Sequence, residues 1–298
     1  MKPDISIIIC THNRGHLLPK TLQSLADQDL EYSRYEVIIV DDGGTDNTDE
    51  VIKSLSMPYE LSYYRIEKGG RAKARNIGLD KARGRIALFC DDDVLAPKSF
   101  LSCHLKLHEG DSKAVGRGPI IDIEKHEFPG DLKPTIKDCS TAMFCTCNVS
   151  VDREGFIKEG GFNELFTEYG WEDNEAGYRL KKAGYHLKFS MDAYIYHFRP
   201  IWVHHNLDVM IGKAMEQGRS AVIYYRLHPD WKVQMATGIH PIFQLWWNIT
   251  ASKWISDMCH TLWKNHPDWP RWLRELLGRK VFLHYYNESI KATLKKQK

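Results

Sequence analysis

The sequence predicts an α/β fold: a mostly parallel central sheet flanked by helices, followed by a helical C-terminal region. Three observations predict it. Short apolar runs alternate with amphipathic helical patterns over the first half of the chain, the signature of parallel strands joined by helical crossovers. The apolar runs are continuous rather than alternating, so each strand is expected to be buried on both faces. Beyond Pro200 the strand patterns stop and the composition turns to helix, histidine and tryptophan. That shift divides the chain into residues 1–200 and 201–298.

The elements follow in order. Ile5 to Cys10 is the first strand, and Leu17, Leu18, Leu22 and Leu25 mark the helix after it. Tyr35 to Val40 is the second strand and ends in Asp41-Asp42-Gly43-Gly44. Thr45 or Asp46 is placed to cap a helix carrying Val51, Ile52 and Leu55. Leu61 to Ile66 is the third strand, Arg71 to Lys81 the next helix, and Ile86 to Cys90 the fourth strand. The stretch from Lys113 to Cys147 is less regular and is assigned only loosely. A helix then starts near Trp171, with Gly184 as its C-cap. Leu187 to Ser190 and Ala193 to His197 read as short strands.

Ligands of such sheets bind outside the carboxyl ends of the strands. The residues following the strands there are polar: Thr11, His12, Asn13 and Arg14; Asp41 and Asp42; Lys68 to Arg71; Asp91 to Asp93. Four polar strand ends converging on one crevice is a stronger signal than any one of them. The triplet Asp91-Asp92-Asp93 concentrates like charge at the mouth of the core, a cost that a hard divalent cation such as Mg²⁺ or Mn²⁺ offsets. In an extended chain Asp91 and Asp93 point the same way. A solvated acidic turn ahead of the helix near Pro97 accounts for the same residues. Arg71 starts its helix behind Gly69-Gly70, where backbone N–H groups and a guanidinium favour an anion. Arg75, one turn on, reaches the same anion or pairs with a surface acid. Glu172 and Asp173 open a helix, where a carboxylate stays ionised, although simple capping explains them too.

Bulk composition excludes little else. With 298 residues and a formal net charge of +2, nothing global argues for nucleic acid. Seven scattered cysteines suit a reducing cytoplasm. Cys10, Cys90 and Cys103 read as small core residues, and Cys145-Thr146-Cys147 is too closely spaced for the usual metal-ligand pair. No signal-peptide pattern opens the sequence and no stretch approaches a transmembrane length.

Ile7-Ile8-Ile9-Cys10-Thr11-His12-Asn13-Arg14, Val40-Asp41-Asp42-Gly43-Gly44, Asp91-Asp92-Asp93 and Gly170-Trp171-Glu172-Asp173 resemble the successive motifs of family 2 glycosyltransferases with the GT-A fold. The resemblance covers roughly residues 4 to 200. Gly161-Phe162 through Asp173, followed by His197, is also similar to β-1,4-galactosyltransferases and to the chondroitin-polymerase type. Serine usually stands where this chain has Gly44.

The resemblance implies a metal-dependent, inverting transfer of a hexose or N-acetylhexosamine. The donor is a nucleotide sugar, with UDP expected and GDP or dTDP open, and the acceptor is a hydroxyl of a glycan or lipid-linked molecule. It implies donor contacts from Thr11, Asn13, Arg14, Asp41, Asp42, Arg71, Asp91 and Asp92. Asp93 and His197 become ligands of Mn²⁺ or Mg²⁺, and an imidazole beside a carboxylate leans towards Mn²⁺. Asp173 becomes the base that takes the acceptor proton, Glu172 positions the acceptor, and Glu175 is a fallback. Trp171 offers a flat face for a sugar ring or belongs to the core.

Two other readings compete. Sugar-phosphate nucleotidyltransferases need a glycine- and lysine-rich loop after the first strand, and Thr11-His12-Asn13-Arg14-Gly15 is poor in glycine. A nucleotide-sugar-binding protein without chemistry would not need both the acidic triplet and Glu172-Asp173.

In the C-terminal region Trp246, Trp247, Trp254, Trp263, Trp269 and Trp272 lie close together among aliphatic and basic residues. This pattern fits peripheral membrane contact, helices packed on the catalytic domain, or a dimer surface. A cytoplasmic protein, peripheral at the inner face of a membrane in the first case, is the expected location. His204-His205 is read as loop or surface.

Overall fold

In the computed structural model, which describes residues 2–199 and 206–296, the chain divides into two compact units. Residues 1–167 and 173–200 form the first, and residues 168–172 and 201–298 the second.

The first unit is built on a seven-stranded sheet of order β3-β2-β1-β4-β8-β6-β9. β1 (Ile5–Thr11), β2 (Tyr35–Asp42), β3 (Glu60–Ile66) and β4 (Ile86–Asp91) run parallel. β8 (Asn148–Asp152) is antiparallel to β4 and to β6 (Ala114–Arg117), and β9 (His186–Phe189) is parallel to β6. Only β8 is therefore reversed, and the mostly parallel GT-A arrangement holds.

β1 shows why the apolar runs are continuous. Ile5, Ile7 and Ile9 point into one core, against Leu18, Leu22 and Leu25 of α1 (Leu18–Ala26). Ile8, with Ile38 and Val40 of β2, points into the other core. There Ala72, Ala74 and Leu79 of α3 (Arg71–Lys81) pack beside the rings of Phe89, Phe144, Phe156 and Phe162. Two-sided burial of this kind leaves no face for polar residues except at the strand ends.

α2 (Thr48–Ser54) follows β2 and α5 (Arg153–Lys158) follows β8, and the helices expected near Pro97 and Trp171 are α4 (Phe100–Leu107) and α6 (Glu172–Lys182). Between β4 and α4 the chain turns at Asp92-Asp93 and adds a two-residue strand, β5 (Val94–Leu95). β5 joins a second sheet of order β5-β10-β7, with β7 spanning Ile120–Ile123 and β10 spanning Ile195–Phe198. Its register sets His197 opposite Val94 on one side and Asp122 on the other.

The second unit is helical: α7 (Leu207–Leu227), α8 (Trp231–Thr237), α9 (Pro241–Thr250), α10 (Lys253–Asn265) and α11 (Arg271–Lys295). Asn206 and Asp230 cap α7 and α8 with their side chains. Leu207, Cys259, Trp263, Leu277 and Val281 form one core, and Ala214, Ala221, Val222, Tyr286 and Ile290 another. No described helix is long and apolar enough to cross a membrane. His204 and His205 lie outside the described residues.

Candidate active site

The carboxyl ends of β1, β2 and β4 are neighbours by register: Thr11 pairs with Asp41, and Cys10 with Asp91. The polar residues that follow tie these ends together. Asn13, at φ +54°, accepts from the backbone N–H of Asp46 at 3.1 Å. Asp41 is buried and accepts from Gly44 N–H and from the Tyr63 hydroxyl, both at 2.8 Å. Asp42 accepts from the N–H of Gly69 at 2.7 Å and of Gly70 at 3.1 Å. The Asp pair thus shapes two loops, and Gly70, at φ +91°, sets the start of α3 behind that anchor. Arg71 stands exposed as the first residue of α3.

The acidic triplet splits three ways. Asp91 ends β4. Asp92 is buried; its Oδ2 accepts from Thr11 Oγ1 at 2.7 Å and its Oδ1 pairs with Arg14 at 2.9 Å. Burial pushes the Asp92 carboxyl up to about 7, only partly offset by Arg14. Asp93 pairs with Arg14 through Oδ2 and lies 3.3 Å from His197 Nε2 through Oδ1. Burial works against its ionisation, but His197 and Arg14 outweigh it and hold Asp93 down to about 2. The alternation expected to align Asp91 with Asp93 does not reach Asp93, because the chain turns at Asp92-Asp93. His197 gathers them instead.

Burial also disfavours charge on His197, yet the Asp122 and Asp93 carboxylates on either side of it raise it to about 9. Its Nδ1 is 3.2 Å from Asp122 Oδ1, which fixes the ring so that Nε2 faces the acidic turn. Ligand atoms of Asp91, Cys147 and His197 lie within 4.8 Å of one another. Asp93 Oδ1 is buried and accepts no well-aligned hydrogen bond. Carboxylates and an imidazole converging at this size suit a divalent cation, while burial pushes the Cys147 thiol up and keeps it from serving as a thiolate ligand.

Asp173 lies in the first turn of α6. Its Oδ2 accepts from both the N–H and the hydroxyl of Thr146, each at 2.9 Å, and its Oδ1 is 3.4 Å from Arg75. Arg75 therefore pairs with an acid, and that acid is half-buried rather than fully on the surface. Glu175 is committed to Arg179 one turn on, at 2.8 Å. In the second unit Glu172 is buried, and Trp171, at φ +73°, packs its ring 5.9 Å from Tyr224.

Three residues of this site escape sequence reasoning. Asp122, Thr146 and Cys147 all fall in the irregular stretch, and the spacing of Cys145 and Cys147 gives no metal-ligand signal. Thr146 and Cys147 arrive here because β8 is reversed: Asn148 pairs with Cys90, so what precedes β8 lies beside the end of β4.

Known proteins resemble the chain in sequence and in fold. Residues 6–158 match the model of glycosyl transferase family 2, and residues 133–204 match the N-terminal domain of galactosyltransferase. The chain is 32% identical over 231 residues to validoxylamine A glucosyltransferase of Streptomyces hygroscopicus subsp. jinggangensis, covering 64% of this chain and 54% of that one. It is 27% identical over 252 residues to chondroitin synthase of Escherichia coli, covering 70% of this chain and 37% of that one. The chain thus spans about half or less of these curated relatives. A mannosyltransferase from Pyrobaculum calidifontis, solved with GDP-Man and Mn²⁺, shares the fold at a TM-score of 0.63 and 20% identity. That match covers 100% of this chain and 89% of the other.

Proposed function

The chain belongs to glycosyl transferase family 2, and from that premise we propose that it moves a sugar from a nucleotide-sugar donor to a hydroxyl of a glycan or lipid-linked acceptor, with inversion. The observation that carries the reading is the pairing, within one unit, of a cation-ready cluster with a separately anchored carboxylate. Asp93, His197 and Asp91 would hold the cation; Asp173 is the base.

Each residue has a task that its surroundings support. The cation, when bound, offsets the charge that develops on the departing nucleoside diphosphate. Arg71 stands at the start of α3, where a guanidinium and the backbone N–H groups favour the same diphosphate. Asp42, by holding Gly69 and Gly70, keeps that helix start in place. Asp173 takes the acceptor proton as the acceptor oxygen attacks the anomeric carbon. Its two bonds from Thr146 and the charge of Arg75 favour the ionised form that a base requires. Asp92, locked to Thr11 and Arg14, positions the turn that carries Asp93.

UDP is the proposed nucleotide, and Mn²⁺ the proposed cation. The test is a panel of UDP-, GDP- and dTDP-sugars with and without Mn²⁺, read by thermal shift and by release of nucleoside diphosphate. One donor class should raise the melting temperature only with the metal and be turned over slowly by water. A chain that neither binds nor turns over any donor in Mn²⁺ rules the reading out.

A further inference from the structure

The second unit carries an apolar face that its own core does not use. On α9, Ile242, Leu245, Trp246 and Ile249 are 60–67% exposed. They stand at positions i, i+3, i+4 and i+7, so they share one side of the helix. The other side does the packing: Trp247 lies 5.9 Å from the Tyr286 ring and 5.8 Å from Phe243. α9 has no charged residue. Two more tryptophans, Trp254 on α10 and Trp272 on α11, are 72% and 66% exposed, each with an exposed apolar residue one turn on, Met258 and Leu276. Burial therefore divides the six tryptophans: Trp263, Trp247 and Trp269 pack into the helical cores, and Trp246, Trp254 and Trp272 face out.

Charge identifies what meets this face. Residues 241–298 contain ten Lys and Arg against four Asp and Glu, whereas the whole chain carries only +2. The rest of the chain is net negative, and the excess positive charge is gathered on the segment that exposes the tryptophans. Lys253, Lys264, Arg271 and Arg279 are all exposed there. Exposed aliphatic and tryptophan side chains on a segment with an excess of Lys and Arg match the headgroup layer of an anionic bilayer. A protein-interface core is depleted in lysine, and a second copy of the same face would bring like charges together. No described helix is fit to span, so contact would be in the plane of the surface.

We propose that the C-terminal helical unit docks on an anionic phospholipid surface, seating Ile242, Leu245, Trp246 and Ile249 at the acyl boundary, with the exposed Trp254 and Trp272 as further contacts. The inference rests on the second unit alone and stands independently of the transfer reaction. It is tested by co-sedimentation of the full chain with phosphatidylglycerol–phosphatidylcholine vesicles and with phosphatidylcholine alone. The chain should pellet with the anionic vesicles, less so at high salt, with a blue shift of tryptophan emission.

The double variant Trp246→Glu with Ile249→Glu should lower partitioning by about a hundredfold or more. Lys264→Glu with Arg279→Glu should lower binding to the anionic vesicles by more than about tenfold, since each basic residue near such a surface contributes about fivefold. Both should keep the wild-type melting temperature and donor turnover. A chain that stays in the supernatant at low salt overturns the proposal, as do variants that sediment like wild type. Self-association of wild type that the Trp246→Glu, Ile249→Glu variant abolishes, without vesicle binding, assigns the face to a second copy and overturns it equally.

Discussion

Thr146 grips Asp173 twice, its N–H and its hydroxyl both donating to Oδ2 at 2.9 Å. The carboxylate is thereby fixed in the first turn of α6 by a residue 27 positions earlier. Asp173→Asn should lower kcat by roughly 10²–10⁴-fold, the range for a general base. Thr146→Val keeps the N–H and removes only the hydroxyl bond to a charged group, so a loss of about tenfold in kcat is expected. Donor affinity, read by calorimetry with Mn²⁺, should be unchanged in both. Loss of donor binding in Thr146→Val would instead place its effect on the donor side.

His197 is held between two carboxylates, Asp93 at 3.3 Å and Asp122 at 3.2 Å. Asp122 touches the far nitrogen, so it orients the ring without occupying a ligand position. Asp122→Ala should weaken Mn²⁺ binding by about 10–100-fold, the usual effect of removing such an orienting partner. His197→Ala should weaken it further. Mn²⁺ titration followed by electron paramagnetic resonance reads this directly, and equal affinity in Asp122→Ala contradicts the role.

Much of the crevice was legible because parallel strands force their carboxyl ends together, and the apolar runs ending at Cys10, Val40 and Cys90 mark those ends. Asp122, Thr146 and Cys147 were not, for a topological reason. β6 and β7 are only four residues long, too short for a period to declare itself. β8 is reversed, which no local pattern announces. The tight turn at Asp92-Asp93 is equally silent, since three aspartates fit a strand end or a turn. Among the tryptophans, composition showed a cluster, but only helix packing decided that Trp263 goes inward and Trp254 outward.

Gly238 ends α8 in the left-handed region, at φ +69°, with its N–H bonded to the Met235 carbonyl. A Cβ there would sit 1.9 Å from Trp247 Cη2. Gly238→Ala should therefore destabilise the helical unit by about 1–3 kcal/mol, from backbone strain and displacement of the indole. Thermal unfolding followed by tryptophan fluorescence measures it. A wild-type midpoint would mean that Trp247 moves aside at no cost.

A buried histidine chain should make stability fall in mild acid. Asn148 donates through Nδ2 to the carbonyls of Pro119 and Ala193, at 3.1 and 2.8 Å, which turns its Oδ1 towards His104. His104 Nε2 donates to that oxygen at 2.9 Å. Its Nδ1, 2.8 Å from Ser150 Oγ, then accepts the serine proton, and Ser150 Oγ accepts from His108 Nε2 at 2.8 Å. This ordering requires a neutral His104. Burial brings His104 down to about 3 and His108 down to about 4. The unfolded chain binds protons near the ordinary histidine value of about 6.5 while the native chain does not. Stability is therefore full above that value and falls as pH drops towards 4, by up to about 1.4 kcal/mol per pH unit for each histidine. It levels off once the folded forms titrate. Asp92, raised to about 7 in the folded chain, opposes part of this slope, so the test is the difference in urea unfolding at stepped pH: His108→Gln should be shallower than wild type by up to about 1.4 kcal/mol per pH unit. A slope unchanged in His108→Gln would assign the acid sensitivity to other groups.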